Sequence, residues 1–476
     1  MIFFKKYKDV LLILLSSVLY FFVAYFLDRT NFYQLLFLWF SLFFCFYFLI
    51  KNKKIDVSTL IGLTILFRLI FLFSIPNLSQ DFYRFIWDGR MIFEGFNPYL
   101  SLPQTFIEQQ KYPIDEAINL YNGMGESNGS HYTNYPPINQ LCFLIAAIIG
   151  SKSIFASVIT MRLLIILADI GILYYGSKLL EKLQLNPRNI FWYALNPFII
   201  IELTGNLHFE PVMLFFLILS LYKLHQQKWI WAAIFLGCSV SIKLIPLLFL
   251  PLFYQWFVKR NVIANEMKQS LFNNEIISSE TLHNDNLKFS FNGLIKLFTF
   301  YLIILTTILI LFLPFYSSEF INNYANSVSL WFRNFEFNAS FYYVFREIGY
   351  LFRGYNEIAI IGKIAPILTI LFLLIITFFR KNTSTKQLIT ALLFGLSFYY
   401  FTTTTMHPWY LATLIILSIF TKYRFPIIWS LVIIFSYQAY ANNPWKENLW
   451  FVLLEYIFVY GFLIWELKKQ KLIKSS

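Results

Sequence analysis

The chain has 476 residues, 58% of them hydrophobic and 21% aromatic, with 57 Phe, 31 Tyr and a mean hydropathy of +0.61. That excludes a water-soluble fold, because no globular interior hides so much apolar side chain, and it predicts an all-α polytopic membrane protein. The formal net charge of +13 does not mark a nucleic-acid binder, since the lysines sit in short clusters at the ends of apolar runs, the pattern that orients spans in a bilayer.

Met1 to Lys8 carries Lys5, Lys6 and Lys8 and is expected to stay cytoplasmic. The first apolar run, Val10 to Leu27, reaches spanning length without a small-residue cleavage site and is expected to be retained. Phe32 to Ile50 and Val57 to Ile75 follow as spans, separated by Lys51, Lys53 and Lys54, which places 76–136 on the outer side as a first large loop. That loop opens with Gln80 to Tyr99. On a helical repeat Asp81, Arg84 and Asp88 share one face and Phe82, Phe85, Ile86, Gly89 and Phe93 the other, which predicts an amphipathic helix lying on the membrane and ended by Gly95 and Asn97-Pro98. A Gly/Ser/Asn-rich turn is expected from Asn122 to Ser130.

Ile138 to Gly150 is too short to cross and reads as a shallow or re-entrant piece before the span Phe155 to Lys178. Apolar segments then alternate: Ile190 to Leu203, Phe209 to Leu224, Trp229 to Ile245 and Pro246 to Val258. A cytoplasmic polar insert follows at 259–292, then Leu294 to Pro314, a second outer loop at 315–356, and Ile358 to Phe379. Gln387 to Phe401, Trp409 to Phe420, Pro426 to Tyr440 and Leu449 to Trp465 bring the total to about 12–14 transmembrane helices in a single domain. Cys45, Cys142 and Cys238 lie in apolar runs without ligand spacing and read as packing residues. Arg162 and Asp169, seven apart on one helix face, read as a buried structural pair.

Four polar clusters fall on the same predicted side: Gln80 to Glu94, Gly205 to Glu210, Tyr324 to Glu336, and Thr402 to Tyr410. Ionisable groups at membrane depth are costly, so their convergence points to a site. The stretch D-x-Y-R-x-x-W-D-G-R at Asp81 to Arg90, with N-P-Y at Asn97 to Tyr99, resembles the first outer loop of bacterial glycosyltransferases of the GT-C superfamily. Y-P-P at Tyr135 to Pro137, N-P-x-x-x-x-E-x-x-G-N-x-H at Asn196 to His208, K-L-x-P-L-L at Lys243 to Leu248 and H-P-W-Y at His407 to Tyr410 are similar to the same group. Within the superfamily the resemblance is to polyprenol-phosphate-mannose-dependent mannosyltransferases and glycosyltransferase family 87. One departure stands out. Those relatives carry Asn-Asp after the histidine, whereas this chain has Phe209-Glu210-Pro211, and the longer Glu210 leaves a transferred role open.

The resemblance implies transfer of a hexose, mannose by resemblance alone, from a polyprenyl-phosphate donor to a glycan or glycolipid acceptor at the outer face of the cell membrane, with inversion. A sugar hydroxyl is a weak nucleophile and needs a carboxylate to take its proton. Asp81 is the candidate base, with N-capping of its helix as the structural alternative, and Asp88 would orient the acceptor or the base. A lipid phosphate departs unprotonated if cations neutralise it. Lys243, Arg84, Arg90 and His407 are the candidates, although Lys243 equally reads as a lysine snorkelling to the interface, the arginines as partners of nearby acids, and His407-Pro408 as a helix-start turn. His208, Glu210, Trp87, Tyr99 and Trp409 are candidate substrate contacts. No nucleotide-binding Gly-rich loop and no strict metal-ligand spacing is present, so no cofactor is expected, and a divalent metal stays open. Two rival readings remain. A lipid-linked polysaccharide polymerase or ligase would use an arginine-rich outer loop such as Arg333, Arg346 and Arg353. A secondary transporter would place its ionisable groups near the bilayer midplane within internal repeats, and no repeat is found.

Overall fold

The computed structural model describes residues 2–259, 290–333 and 335–475, so the predicted insert at 259–292 lies, but for its edges, outside the described residues. The helices run in chain order as α1 (Ile2–Tyr25), α2 (Phe32–Lys51), α3 (Val57–Leu69), α4 (Asp81–Phe93), α5 (Pro103–Glu108), α6 (Ala117–Gly129), α7 (Pro137–Gly150), α8 (Ile154–Lys182) and α9 (Phe191–Ala194). After a π-helical turn at Ile199–Gly205 come α10 (Glu210–His225) and α11 (Trp229–Val240), then α12 (Phe291–Phe312), α13 (Ser318–Arg333), α14 (Phe341–Arg353), α15 (Ile358–Phe379), α16 (Thr385–Thr402), α17 (Leu411–Ser418), α18 (Phe425–Val432) and α19 (Leu449–Ser475). Among the described residues the only extended pairing is a single bridge between Phe337 and Thr405. The protein is an all-α polytopic membrane protein.

The spans are built differently from the sequence expectation. Six described helices are long and apolar enough to cross alone: Tyr7–Tyr25, Phe32–Lys51, Ile154–Lys182, Phe291–Phe315, Ile358–Phe379 and Leu449–Leu472. A bent pair, Ile199–Gly205 with Glu210–His225 at 112°, adds a seventh if it is one crossing. Val57–Leu69, Trp229–Val240, Ile245–Lys259, Pro408–Ser418 and Phe425–Ala441 are shorter than the roughly 20 residues a hydrocarbon core demands, and so is Pro137–Gly150, the piece predicted to be shallow.

Interrupted helices leave carbonyls that need donors, because a buried unpaired backbone group is costly. Arg162 on α8 supplies them. Its Nε donates to Thr204 O (2.9 Å), Nη2 to Gly205 O (3.0 Å), and Nη1 to Leu72 O (3.0 Å) and Ser74 O (2.7 Å). The predicted Arg162–Asp169 pair therefore does not form. Asp169 instead accepts from Arg68 Nε at 2.8 Å and from the Tyr193 hydroxyl at 3.0 Å. Seven residues place two side chains on one face, but α3 and α9 lie closer to Asp169 than another turn of its own helix.

Helix α4 begins at Asp81 as predicted, and Gly95, with φ +83°, ends it. It does not lie on a membrane surface. Phe82, Phe85, Ile86 and Gly89 are buried on one face and Arg84 and Asp88 on the other. The helix is wedged between α6 and α7, and a Cβ at Gly89 would stand 2.2 Å from the Phe143 carbonyl oxygen. The predicted turn at Asn122 to Ser130 is also helical, as the end of α6, with a kink at Gly125.

Arg162→Met strips donors from four carbonyls, each worth about 1–3 kcal/mol when left unpaired in the interior. A large drop in melting temperature in detergent is expected. Arg162→Lys should not restore it, since one ammonium cannot reproduce the planar fork. Wild-type melting of the lysine variant would show that the fork is dispensable.

Candidate active site

A cavity of about 210 Å³ lies where the helix breaks meet. It is lined by Asp81, Arg84 and Phe85 of α4, by the 128–136 segment with Asn139 and Phe143 of α7, by His208 and Phe209, by 242–245, and by Tyr399, Thr403, Thr405, His407, Trp409 and Tyr410. Pockets for drug-sized ligands run from about 300 Å³, so this volume suits a single ring-sized group.

The walls are held by hydrogen bonds to backbone carbonyls. Ile138 N donates to Ser241 O at 2.9 Å and Asn139 Nδ2 to Ile242 O at 2.8 Å, which ties the start of α7 to the stretch carrying Lys243. Leu207 adopts the left-handed region at φ +62°, which a leucine rarely does, and this turns the chain so that His208 reaches the cavity. The Tyr99 hydroxyl donates to Tyr135 O at 2.6 Å, and Ser327 Oγ to Tyr132 O at 2.7 Å, fixing the 128–136 wall from outside.

The charged groups come in pairs, with one exception. Arg84 Nε donates to Asp88 Oδ1 at 2.9 Å, and its Nη1 reaches Asn128 O and His131 O. Asp88 is fully buried, also accepts from Gln140 Nε2 at 3.0 Å, and does not line the cavity. Lys243 Nζ pairs with the buried Glu210 and stands 5.6 Å from the Tyr410 ring centre. Glu210 Oε2 has no hydrogen-bond partner, so the second carboxylate oxygen is unused. Asp81 is the exception. It occupies the first turn of α4, and Gln80, not Asp81, is the cap residue. Among the described residues, its carboxylate accepts only a long 3.4 Å bond, from Asn128. Burial raises the Asp81 pKa above the ordinary carboxylate value; nearby Lys243 and the Asn128 bond oppose the shift, and Glu210 adds to it.

Trp409 stands between the two histidines. The His208 ring stacks on it at 4.0 Å and the His407 ring at 4.5 Å, within 19° and 5° of parallel. Among the described residues, His208 Nε2, 3.9 Å from Glu202 Oε2, and His407 Nδ1 are buried without hydrogen-bond partners. Burial pushes the His407 pKa down to about 3, helped by Lys243, so its ring is neutral. It can exchange one hydrogen bond with a phosphate but cannot supply charge to it.

The cavity thus gathers Asp81, Arg84, Lys243, His208, His407 and Trp409 of the predicted residues. Others fall elsewhere. Arg90 turns away and holds Asp115 O at 2.6 Å and Glu116 at 3.3 Å. Trp87 is buried behind the site, 6.4 Å from Phe106, and Tyr99 supports the wall from the outside. Sequence reading missed Asn128, Thr133 and Tyr399. Asn128 sits in a run whose composition reads as a plain turn, and only the fold brings it to Asp81. Of the second-loop arginines, Arg346 and Arg353 do not line the cavity, Arg346 pairing with Glu336 and Glu347 and Arg353 with Glu357, and the Arg333 side chain lies outside the described residues. Among the described residues no three His, Cys, Asp or Glu side chains gather as a metal site.

The arrangement offers a carboxylate with spare lone pairs, a cation in the same cavity, and an aromatic and imidazole wall. A family model described as "Alpha-(1->6)-mannopyranosyltransferase, N-terminal domain" matches residues 13–259, which include Asp81, Arg84, His208, Glu210 and Lys243 and stop short of His407. Comparison with curated proteins and with solved structures gave no match. On the matched stretch, just over half of its length, the chain belongs to the alpha-(1->6)-mannopyranosyltransferase family and is a membrane-embedded mannosyltransferase.

Proposed function

We propose that the enzyme transfers mannose from a polyprenyl-phosphate-linked donor to a hydroxyl of a glycan or glycolipid acceptor, with inversion and with Asp81 as base, at the outer face of the cell membrane. The observation that carries this reading is that Asp81 and Lys243 line one small cavity. The outer placement rests on the excess of lysine and arginine in the opposite loops.

The acceptor oxygen attacks the anomeric carbon, the bond from that carbon to the phosphate oxygen breaks, and its electron pair leaves with the phosphate. Asp81 takes the hydroxyl proton as the new bond forms. The family description names an α-(1→6) product, and inversion to an α linkage requires a β-linked donor. Lys243 meets the departing phosphate, for which Glu210 is the resident competitor, and neutral His407 adds a hydrogen bond. Arg84 presents a positive face already anchored by Asp88, and Asp88 acts through Arg84, as a positioning residue. His208 and Trp409 form the wall against which the sugar ring rests, and Glu210 is assigned to Lys243 rather than to the sugar.

Transfer of radiolabelled mannose from polyprenyl-phosphate-mannose, by membranes with matched expression, tests the reading. Asp81→Asn should lose about 10²–10⁴-fold in rate, the usual worth of a general base. Equal activity would remove Asp81 from the chemistry, and no transfer by wild type would remove the donor. Lys243→Met should lower kcat/KM by about 10²–10³-fold, while Arg90→Gln, whose side chain faces away, should transfer at the wild-type rate once folded.

The acid limb of kcat/KM should lie above the ordinary carboxylate range of about 4, because a base whose pKa is raised is protonated, and idle, at pH values where a free aspartate is not. Glu210→Gln removes a negative charge that raises the Asp81 pKa, so the limb should move to lower pH. A limb that stays in place would assign the titration to another group.

A further inference from the structure

Helix α14 is inside out. Phe341, Val344, Phe345, Ile348, Leu351 and Phe352 recur at helical spacing, and all are exposed, Leu351 and Phe352 at 84% each. Tyr342, Tyr343 and Arg346 point the other way, into the protein, while Glu347, Tyr350 and Arg353 are exposed beside the stripe. The Tyr342 hydroxyl donates to Glu336 Oε2 at 2.6 Å, the Tyr343 hydroxyl to Glu447, and Arg346 Nη1 to Glu336 Oε1 at 3.0 Å while its guanidinium lies 4.5 Å from the Tyr343 ring. A helix facing water would show the reverse, and a contiguous apolar stripe of this kind is rare on a water-facing surface.

We infer that this stripe is immersed in the acyl chains of the bilayer leaflet at the cavity end of the molecule. Three observations select lipid as the occupant. Gly354, with φ +76°, closes α14, and four residues later the chain enters α15, a full-length span whose outward Ile360, Ile364, Ile367 and Leu371 continue the apolar surface. The stripe itself carries no charge. The arginines of α14 are neutralised by acids close by, Arg346 by Glu336 and Glu347 and Arg353 by Glu357, as a hydrocarbon-facing element requires.

The consequence reaches the cavity. Ser340, next to the first residue of α14, ends a strap from Phe335 that is laced to the 403–407 wall. Phe337 N donates to Thr404 O at 3.2 Å, Met406 N to Phe337 O at 2.8 Å, and Thr405 Oγ1 to Phe335 O at 2.6 Å. The Phe337 ring lies 5.5 Å from His407. Seated in lipid, α14 anchors the strap, and the strap holds the wall that carries His407. This inference stands independently of the donor and of the base.

The test is nitroxide accessibility in protein reconstituted into phosphatidylcholine and phosphatidylglycerol vesicles, with the native cysteines replaced by alanine. Labels at 348 and 352 should meet oxygen in preference to a water-soluble nickel chelate, in a ratio matching a label at 371 on α15. A label at 111, in an exposed loop, should show the opposite preference. Ratios at 348 and 352 like that at 111 would place the stripe in water, and low collision with both reagents would mean a protein surface covers it; either result overturns the inference. The unmodified protein gives a second readout: phospholipids carrying an acyl diazirine should crosslink to the peptide Phe341–Arg353, and labelling confined to the full-length spans would overturn it equally.

Discussion

The architecture depends on one guanidinium. Arg162 is fully buried and spends its donors on the carbonyls of two interrupted segments, Leu72 and Ser74 beyond α3, and Thr204 and Gly205 at the end of the π turn. Without a donor in place, a helix cannot stop at membrane depth, because nothing in hydrocarbon satisfies its last carbonyls. Asp81 follows the first break by seven residues and His208 the second by three, so each interruption that Arg162 satisfies leads directly into a residue of the cavity.

A second constraint is charge. Apolar surroundings make every isolated ion expensive, and the site answers by pairing: Arg84 with Asp88, Lys243 with Glu210. Among the described residues, Asp81 is the charged group lining the cavity that has no ion-pair partner, and burial raises its pKa. That asymmetry separates a group held ready to accept a proton from groups whose charges hold walls in place. It also means that an anionic phosphate meets Lys243 only in competition with Glu210, so the spare, unbonded Oε2 of Glu210 and the cation it neutralises are parts of one balance.

The site wall far along the chain is tied to the rest through aromatic and backbone contacts, not through charge. Trp409 between His208 and His407 joins the family-matched half to the C-terminal half, and the Phe335–Ser340 strap seals the same wall from the other side. The match to residues 13–259 therefore covers the acid and the cation but not the indole they share a cavity with.

The sequence by itself determined what composition and local spacing can carry: an all-α membrane protein, the limits of α4 with its Gly95 stop, the short α7, and six of the residues that line the cavity. Those are read from hydropathy, from helical periodicity and from motifs that put polar groups beside apolar runs. Tertiary structure decided the rest, because partners distant in sequence compete with those nearby. Arg162 and Asp169 share a helix face, yet each bonds to other elements, as Arg68 and the broken helix ends come closer. Arg84 and Arg90 sit six residues apart on α4, and only the packing of α6 and α7 sends one to the cavity and the other to Glu116. Apolar length in the sequence also does not say where a helix stops: six described helices are long and apolar enough to cross alone, and the other apolar runs are divided into shorter helices whose ends need donors from elsewhere in the chain.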